Sequence, residues 1–554
     1  MVATKNKASD LLVQCLEREG VSHIFGVPGE ENADFVMSLK HSQSIRFFLT
    51  RHEQGAAFMA EAYGRLLSSP AVCLGTLGPG ATNLITGVAN ANMDRVPMLV
   101  ITGQGSSARL HKESHQIMDA VRMFAPVTKW TVRVINPDTI PEIVRKAVRI
   151  ARGEKPGAVH IELPEDIASG ETSEVPMQPK RFVRPGPDPS MVSLVAETLA
   201  GKKRPVIIAG NGCVRKKLDG ALTRLCDATG LSVISTFMAK GAVDVDSDHC
   251  MYTIGLSARD LPAYAIDAAD AVLTIGYDMV EYPPMLWNAG SDKTIIHIDF
   301  TPAEIDEHYN PDYELIGDIK QSLLQLTEAL ASKRFEYDLT RFRELREAMT
   351  RELSLTADEE TTGLVKPQKI LWETRKLLAR DAIVLSDVGA HKMWIARHFH
   401  CHEPNTCLIP NGFCSMGSAL PGAIAAALVY PKREILAICG DGGFMMNVQE
   451  METATRLGVN ITVMVWEDHE YGLIAWKQET EFGENTDLKF NNPDWSLLAT
   501  AFGWHCHLVT DSRDLPGMVR SAIDEPGPSL VIVPVDYREN MKLIHHLGEI
   551  VCPV

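Results

Sequence analysis

Short apolar runs of five or six residues recur along the chain, each closed by a glycine-rich or polar turn and followed by a stretch of helix formers. The clearest case is residues 434–474, EILAICGDGGFMMNVQEMETATRLGVNITVMVWEDHEYGLI. Residues 434–439 are apolar and end in Gly440-Asp441-Gly442-Gly443. Residues 446–457 carry helix formers, Gly458 stops them, and residues 461–466 are apolar again. This predicts strand, helix, strand, with a right-handed crossover and parallel strands. Asp441 and Asp468, 27 residues apart, then both lie just past strand carboxyl ends, the edge at which open α/β sheets bind ligands.

The same alternation predicts three domains. In the first, residues 1–180, a helix over 9–20 precedes a strand over 21–26 that leads into Val27-Pro28-Gly29-Glu30. A strand (44–50), a helix (52–67) and another strand (71–76) follow. The turn Leu77-Gly78-Pro79-Gly80-Ala81-Thr82-Asn83 opens a further helix, and 98–102 and 158–163 supply more strands. Residues 175–189, VPMQPKRFVRPGPDP, read as a linker. The central domain, residues 190–345, has strands over 205–210, 232–235, 271–275 and 294–299. A charged helix over 335–351 bridges to the third domain, residues 360–540, with strands over 382–386, on either side of Asp441, and over 529–535. The expected fold class is α/β, three doubly wound parallel-sheet domains.

Composition narrows the function. A chain of 554 residues with 45% hydrophobic content can hold about three domains. Its formal charge of −17 disfavours nucleic acid or an anionic membrane as partner. The 11 cysteines are scattered, many in apolar runs, without metal-ligand spacing. They read as reduced core residues of a cytoplasmic protein. The N-terminal residues lack the apolar segment of a signal peptide, and no stretch approaches the length of a membrane span.

Asp441 and Asp468 beside a glycine-rich turn suit a divalent cation holding a diphosphate, magnesium being the ion that takes one or two carboxylates and leaves the rest to phosphate and water. The alternative is that Asp441 shapes a turn and Asp468 caps a helix. Glu53, at the strand-to-helix turn of Arg51-His52-Glu53, again lies at a sheet's ligand edge; its alternative is a first-turn glutamate matched to the helix dipole. The Gly389-Ala390-His391 turn follows a strand, and Gly412-Phe413-Cys414-Ser415-Met416-Gly417 precedes an alanine-rich helix, where a lone Met is ordinarily core filling.

Taken together, these motifs resemble the thiamine diphosphate enzymes, and among them the catabolic, FAD-independent acetolactate synthases. The resemblance covers nearly the whole chain and implies the thiamine diphosphate-binding fold. It puts magnesium on Asp441, Asp468 and the main-chain oxygen of Glu470, where many relatives carry Asn-Asn in place of Glu467-Asp468. It implies diphosphate contacts at Ala390, His391 and Gly440 through Gly443, His391 adding a charge-assisted bond. Glu53 becomes the activating glutamate, bonding the aminopyrimidine ring and favouring the imino form that deprotonates thiazolium C2, with Asn83 close to that ring. Met416 wedges between the cofactor rings, the Cys414 carbonyl bonds the amino nitrogen, Ile474 lies near C2, and Gln116 faces substrate. His115 reads as an ordinary loop or core histidine.

The central domain lacks G-x-G-x-x-G at Ala209-Gly210-Asn211-Gly212, and Gly276-Tyr277-Asp278-Met279-Val280-Glu281 stands where FAD-binding members carry an Arg-Phe-Asp-Asp-like run. FAD is therefore not expected. The resemblance, which extends to Val535-Asp536-Tyr537-Arg538-Glu539-Asn540, implies a homodimer or homotetramer with active sites at the subunit interface. It also implies decarboxylation of pyruvate and its condensation with a second pyruvate to 2-acetolactate and carbon dioxide. A 2-keto acid decarboxylase would share every cofactor motif, and Glu30, where many acetolactate synthases have a small residue, could serve it as proton donor. A flavin oxidase and a non-catalytic paralogue would also carry much of this pattern.

Overall fold

The computed structural model describes residues 6–180, 183–215, 217–255, 261–354 and 359–540; the expected readings of the first five residues and of Arg181 and Phe182 in the linker lie outside these. Three six-stranded sheets form, and every strand pair within them is parallel. The first, in spatial order, is Arg46–Leu49, His23–Gly26, Ala71–Gly75, Met98–Gln104, Ala158–Pro164 and Trp130–Arg133. The central sheet runs Cys250–Thr253, Val233–Ser235, Pro205–Ala209, Ala271–Ile275, Thr294–Asp299 and Tyr313–Ile316. The third is Cys407–Leu408, Ile383–Ser386, Ile435–Gly440, Thr462–Glu467, Ser529–Pro534 and His505–Leu508.

With each sheet's strands numbered in chain order, the first and third both read 2-1-3-4-6-5, whereas the central one reads 3-2-1-4-5-6. In each case the winding reverses direction between two strands, and the loops leaving those two strands diverge to open a crevice. In the first sheet the crevice lies after Gly26 and Gly75, and in the third after Ser386 and Gly440. The fold thus puts the turn bearing Gly78 and Gly80, and the turns bearing Gly389 and Asp441, at reversal points.

The helices used below are α1 (Glu53–Leu67), α2 (Pro79–Met93), α3 (Ala390–His398), α4 (Ala419–Val429), α5 (Glu450–Leu457) and α6 (Gly472–Phe482). Small residues dominate α1 and α4, and both helices are buried over most of their length, so they are neither amphipathic nor solvent-facing. The chain divides into two compact units. One comprises Met1–Phe182, Gly412–Lys432 and Phe444–Asn460, the other Val183–Asn411, Arg433–Gly443 and Ile461–Val554. In the first unit α1 packs against both α2 and α4.

Two elements depart from the sequence reading. The helix expected over 446–457 forms only as α5, and a separate short helix, Asp441–Met445, precedes it. Buried Asn447 leaves the helical path and donates its side-chain N–H to the Gly417 carbonyl at 2.8 Å, a local bond that competes with the helix ladder. The helix expected over 335–351 forms at Thr340–Ser354, because Phe335 and Tyr337 stack on one another and pack on the central core. No disulfide links the ten described cysteines, and eight of them are buried. No helix among the described residues is long and apolar enough to cross a membrane.

Candidate active site

The predicted site residues fall into two groups, one in each unit. In the first unit Glu53 is the first residue of α1 and is buried. Asn83 on α2 donates its side-chain N–H to Glu53 Oε2 at 3.0 Å. The backbone N–H groups ahead of α1 are taken by Glu450, the first residue of α5: its carboxylate accepts from Arg51 at 3.2 and 3.3 Å and from His52 at 3.1 Å, and also from the Thr453 hydroxyl at 2.6 Å. Burial raises the Glu450 carboxyl above its ordinary value. Gln116 is exposed and left-handed, φ +56°. It lies against Gly78, where an added Cβ would come within 2.9 Å of the Gln116 Cβ, so the turn tolerates only glycine. Cys414 and Met416 are half-buried, and Cys414 is also left-handed, φ +58°.

In the second unit Asp441 is buried and densely bonded. Its Oδ1 accepts from Gly442 N–H at 2.8 Å, and its Oδ2 from Asp468 and His469 N–H at 3.2 and 2.8 Å and from the Asn492 side chain at 2.7 Å. His469 at the turn is left-handed, φ +59°. Such a non-glycine residue stores on the order of 1–3 kcal/mol, and residues of this kind gather at functional sites. The Asp468 carboxyl is pushed up to about 8 by burial, then by Asp441, with which it is in hydrogen-bonding contact, and by Glu470.

Glu470 pairs with Lys489 in an isolated antiparallel bridge whose ladder bonds run on either side of it, from Phe490 N–H to His469 O at 2.9 Å and from Tyr471 N–H to Leu488 O at 3.2 Å. Its own N–H and C=O therefore point away from Lys489, and the N–H bonds the Asp468 carboxylate. A cavity of about 360 Å³ is lined by Asp468, His469, Glu470, Lys489, Phe490 and Asn491.

Ala390 and His391 open α3 beside this turn. A Cβ on Gly389 or Gly440 would meet the His391 ring at 2.8 or 3.3 Å. Burial holds His391 neutral, at about 3, while its ring N–H is engaged by the Asp387 carbonyl. Nε2 is buried without a hydrogen-bond partner among the described residues. The ring as it stands thus offers a lone pair rather than a charge. Tyr537, half-buried, bonds the backbone N–H of His391, and its phenol is raised well above its ordinary value by desolvation and by Asp468 and Asp441. Gly442 is half-buried, Gly443 is buried, and Ile474 on α6 is exposed.

The second group has the chemistry of a cation site. Two carboxyl groups press against one another among oxygen donors and a buried, partnerless ring nitrogen, a set suited to a hard divalent ion and the oxygens it holds.

The whole chain can be set beside known proteins. Residues 6–123 match the N-terminal TPP binding domain of thiamine pyrophosphate enzymes, 192–326 their central domain and 387–533 their C-terminal TPP binding domain. The acetolactate synthase of Bacillus subtilis (strain 168) is 35% identical, over 97% of this chain and 95% of its own length. The catabolic acetolactate synthase of Raoultella terrigena is 35% identical over 98% of both chains. The chain belongs to the acetolactate synthases among the thiamine pyrophosphate enzymes. A probable acetolactate synthase large subunit of Methanocaldococcus jannaschii is more distant, at 30% over 97% of this chain and 93% of its own.

Within this acetolactate synthase-like framework several residues escape sequence reasoning. Glu450, Asn492, Asn90 and Asp94 touch the motif residues or their loops, yet none stands in a motif, and Tyr537 stands in the C-terminal segment that carried the resemblance without a role of its own. Glu450 meets Arg51 across 399 positions, and nothing local marks that pairing. Asn492 could have been suspected only as a buried-amide partner for a turn already rich in carboxylates.

Proposed function

We propose that this protein uses thiamine diphosphate and magnesium to decarboxylate pyruvate and join the remaining two-carbon unit to a second pyruvate, giving 2-acetolactate and carbon dioxide. The observation that carries this is the Asp441–Asp468 carboxyl pair at the reversal point of the third sheet, in a chain related over nearly its whole length to acetolactate synthases. Bound thiamine diphosphate would supply the electron sink for decarboxylation that no side chain provides.

The residues of the chain would do the rest. Asp441, Asp468 and the Glu470 carbonyl would hold magnesium, and the Gly440–Gly443 turn with Ala390 and His391 would receive the diphosphate. Glu53 would hold a proton at the aminopyrimidine ring, its carboxyl kept in orientation by Asn83. The Cys414 carbonyl would accept from the ring's amino group, Met416 would pack between the rings, and Gln116 and Ile474 would face substrate. The active unit would be a homodimer or homotetramer in the cytoplasm, the two groups of residues meeting across subunits.

No flavin is part of this reading. At the reversal point of the central sheet the Glu281 carboxylate accepts from Asn211 N–H at 3.0 and 3.1 Å and from Asp278 N–H at 3.2 Å. It thereby fills the turn where a dinucleotide phosphate would bind. Flavin absorbance released from pure protein on denaturation would overturn this. A second reading, a simple 2-keto acid decarboxylase, is favoured by Glu30, exposed beyond the first strand of the first sheet. Incubation with pyruvate, thiamine diphosphate and magnesium, followed by proton NMR, separates the two. Acetolactate is expected; acetaldehyde as main product would make the protein a decarboxylase.

A further inference from the structure

The turn that carries Cys414 is seated on the far end of α2, the helix whose first turns supply Asn83 to Glu53. Asp94, the residue that ends α2, accepts the Gly412 N–H on Oδ1 at 2.6 Å, and Asn90, one turn earlier, accepts the Ser415 N–H on Oδ1 at 3.2 Å. These two bonds bracket Cys414, the residue forced to φ +58°. Gly412 permits the close seat, since a Cβ there would lie 2.9 Å from both Asp94 Oδ1 and the Met93 carbonyl.

The bracket is itself held from α1. Asn90 donates to both carboxylate oxygens of Glu61 at 2.8 Å, and the Arg65 guanidinium lies 3.9 Å from Asp94 Oδ2. All four side chains are buried. An L-residue does not keep a left-handed backbone unless its surroundings over-determine it. Here two acceptors on one rigid helix fix the amides on either side.

We propose that Asn90 and Asp94 are positioning residues that impose the left-handed turn on Cys414 and so aim its carbonyl at the aminopyrimidine ring of thiamine diphosphate. The aim rests on the cofactor reading above; the imposed turn does not. Two readouts separate them. The first is the alkylation rate of the Cys414 thiol in cofactor-free protein, followed by peptide mass spectrometry with Cys506, also half-buried, as internal reference. The second is kcat set against KM for pyruvate and thiamine diphosphate affinity.

Asp94→Ala is expected to speed Cys414 alkylation relative to Cys506 by about fivefold and to lower kcat by about tenfold, the scale of one lost charge-assisted bond, with KM and cofactor affinity within about threefold. Asp94→Asn keeps the Oδ1 acceptor and should stay near wild type. Cys414→Gly added to Asp94→Ala should recover most of the lost kcat, because glycine takes φ > 0 unaided. Should Asp94→Ala misfold on losing its ion pair with Arg65, Asn90→Ala carries the same expectations. Unchanged alkylation, a loss shared equally by Asp94→Asn, or no rescue by Cys414→Gly would overturn the proposal. Failure of the wild type to bind thiamine diphosphate would overturn the cofactor reading and the aim, while the alkylation rates would still decide whether the turn is imposed.

Discussion

Glu53 and Asp468 are both buried or half-buried carboxyl groups at the ligand edge of a parallel sheet, and the protein surrounds them differently. Around Glu53 the partners are already in place: Asn83 holds the carboxyl, Glu450 caps the approach to α1, and α2 fixes the turn at Cys414. Around Asp468 burial, and then the neighbouring Asp441 and Glu470 carboxyl groups, raise its proton affinity to about 8. The first group is preorganised by hydrogen bonds within the chain. The second is held by Asp441's amide and Asn492 contacts but sets two carboxyl groups against one another, a repulsion that a proton or a divalent cation relieves. Preorganisation suits the proton-placing role proposed for Glu53, and stored repulsion the ion-capturing role proposed for Asp468.

The largest effect that would break this comparison is on chemistry. Glu53→Gln should lower kcat by about 10³, within the usual range for a lost acid–base group, while calorimetric affinity for thiamine diphosphate with magnesium stays near wild type; retained turnover would remove Glu53 from its role. Next, Asn492→Ala takes a donor from Asp441 and should weaken magnesium binding by about 10- to 100-fold, the range for groups that orient metal ligands. An unchanged magnesium titration would mean that the Asp441 orientation needs no such support.

Smaller still, Glu450→Ala takes the acceptor from the buried Thr453 hydroxyl and from the part-buried Arg51 and His52 amides and should destabilise the first unit by about 1 kcal/mol, read as an earlier urea transition with magnesium affinity unaltered. The finest test uses pH. Burial and then Asp94 push the Glu61 carboxyl up to about 8, above its unfolded value of about 4.3. The native state therefore binds the extra proton between these values, and stability falls as pH climbs through about 8. Glu61→Gln should flatten that part of the pH profile of thermal stability even with magnesium and cofactor present. If magnesium and cofactor alone flattened the whole profile, the uncompensated charge would lie wholly in the second group.

The sequence was legible where a turn is written into contiguous residues. Gly440-Asp441-Gly442, Arg51-His52-Glu53 and the turns at Gly78 and Gly412 follow strands or precede helices as expected, and three parallel-sheet domains form. What could not be read is set by partners distant in the chain. The late start of α5, past Asn447, depends on the Gly417 carbonyl, and the left-handed turn at Cys414 on Asn90 and Asp94. Glu450 reads in isolation as a first-turn helix glutamate; only the folded chain makes it the acceptor for Arg51 and His52. Hydrophobic periodicity reports which face of an element is buried and is silent on which polar atom it will meet.

The discontinuity of the first unit also has a consequence for synthesis. Its opening segment ends at Phe182, yet α4 and α5, which complete it, belong to Gly412–Lys432 and Phe444–Asn460. A ribosome adding about 5–20 residues per second needs on the order of 15–60 s to travel from the first boundary to the last. Throughout that interval the nascent chain presents the apolar flank of α1 that α4 will cover. Expression yield should therefore respond to elongation rate and to chaperones that hold exposed apolar surface during translation.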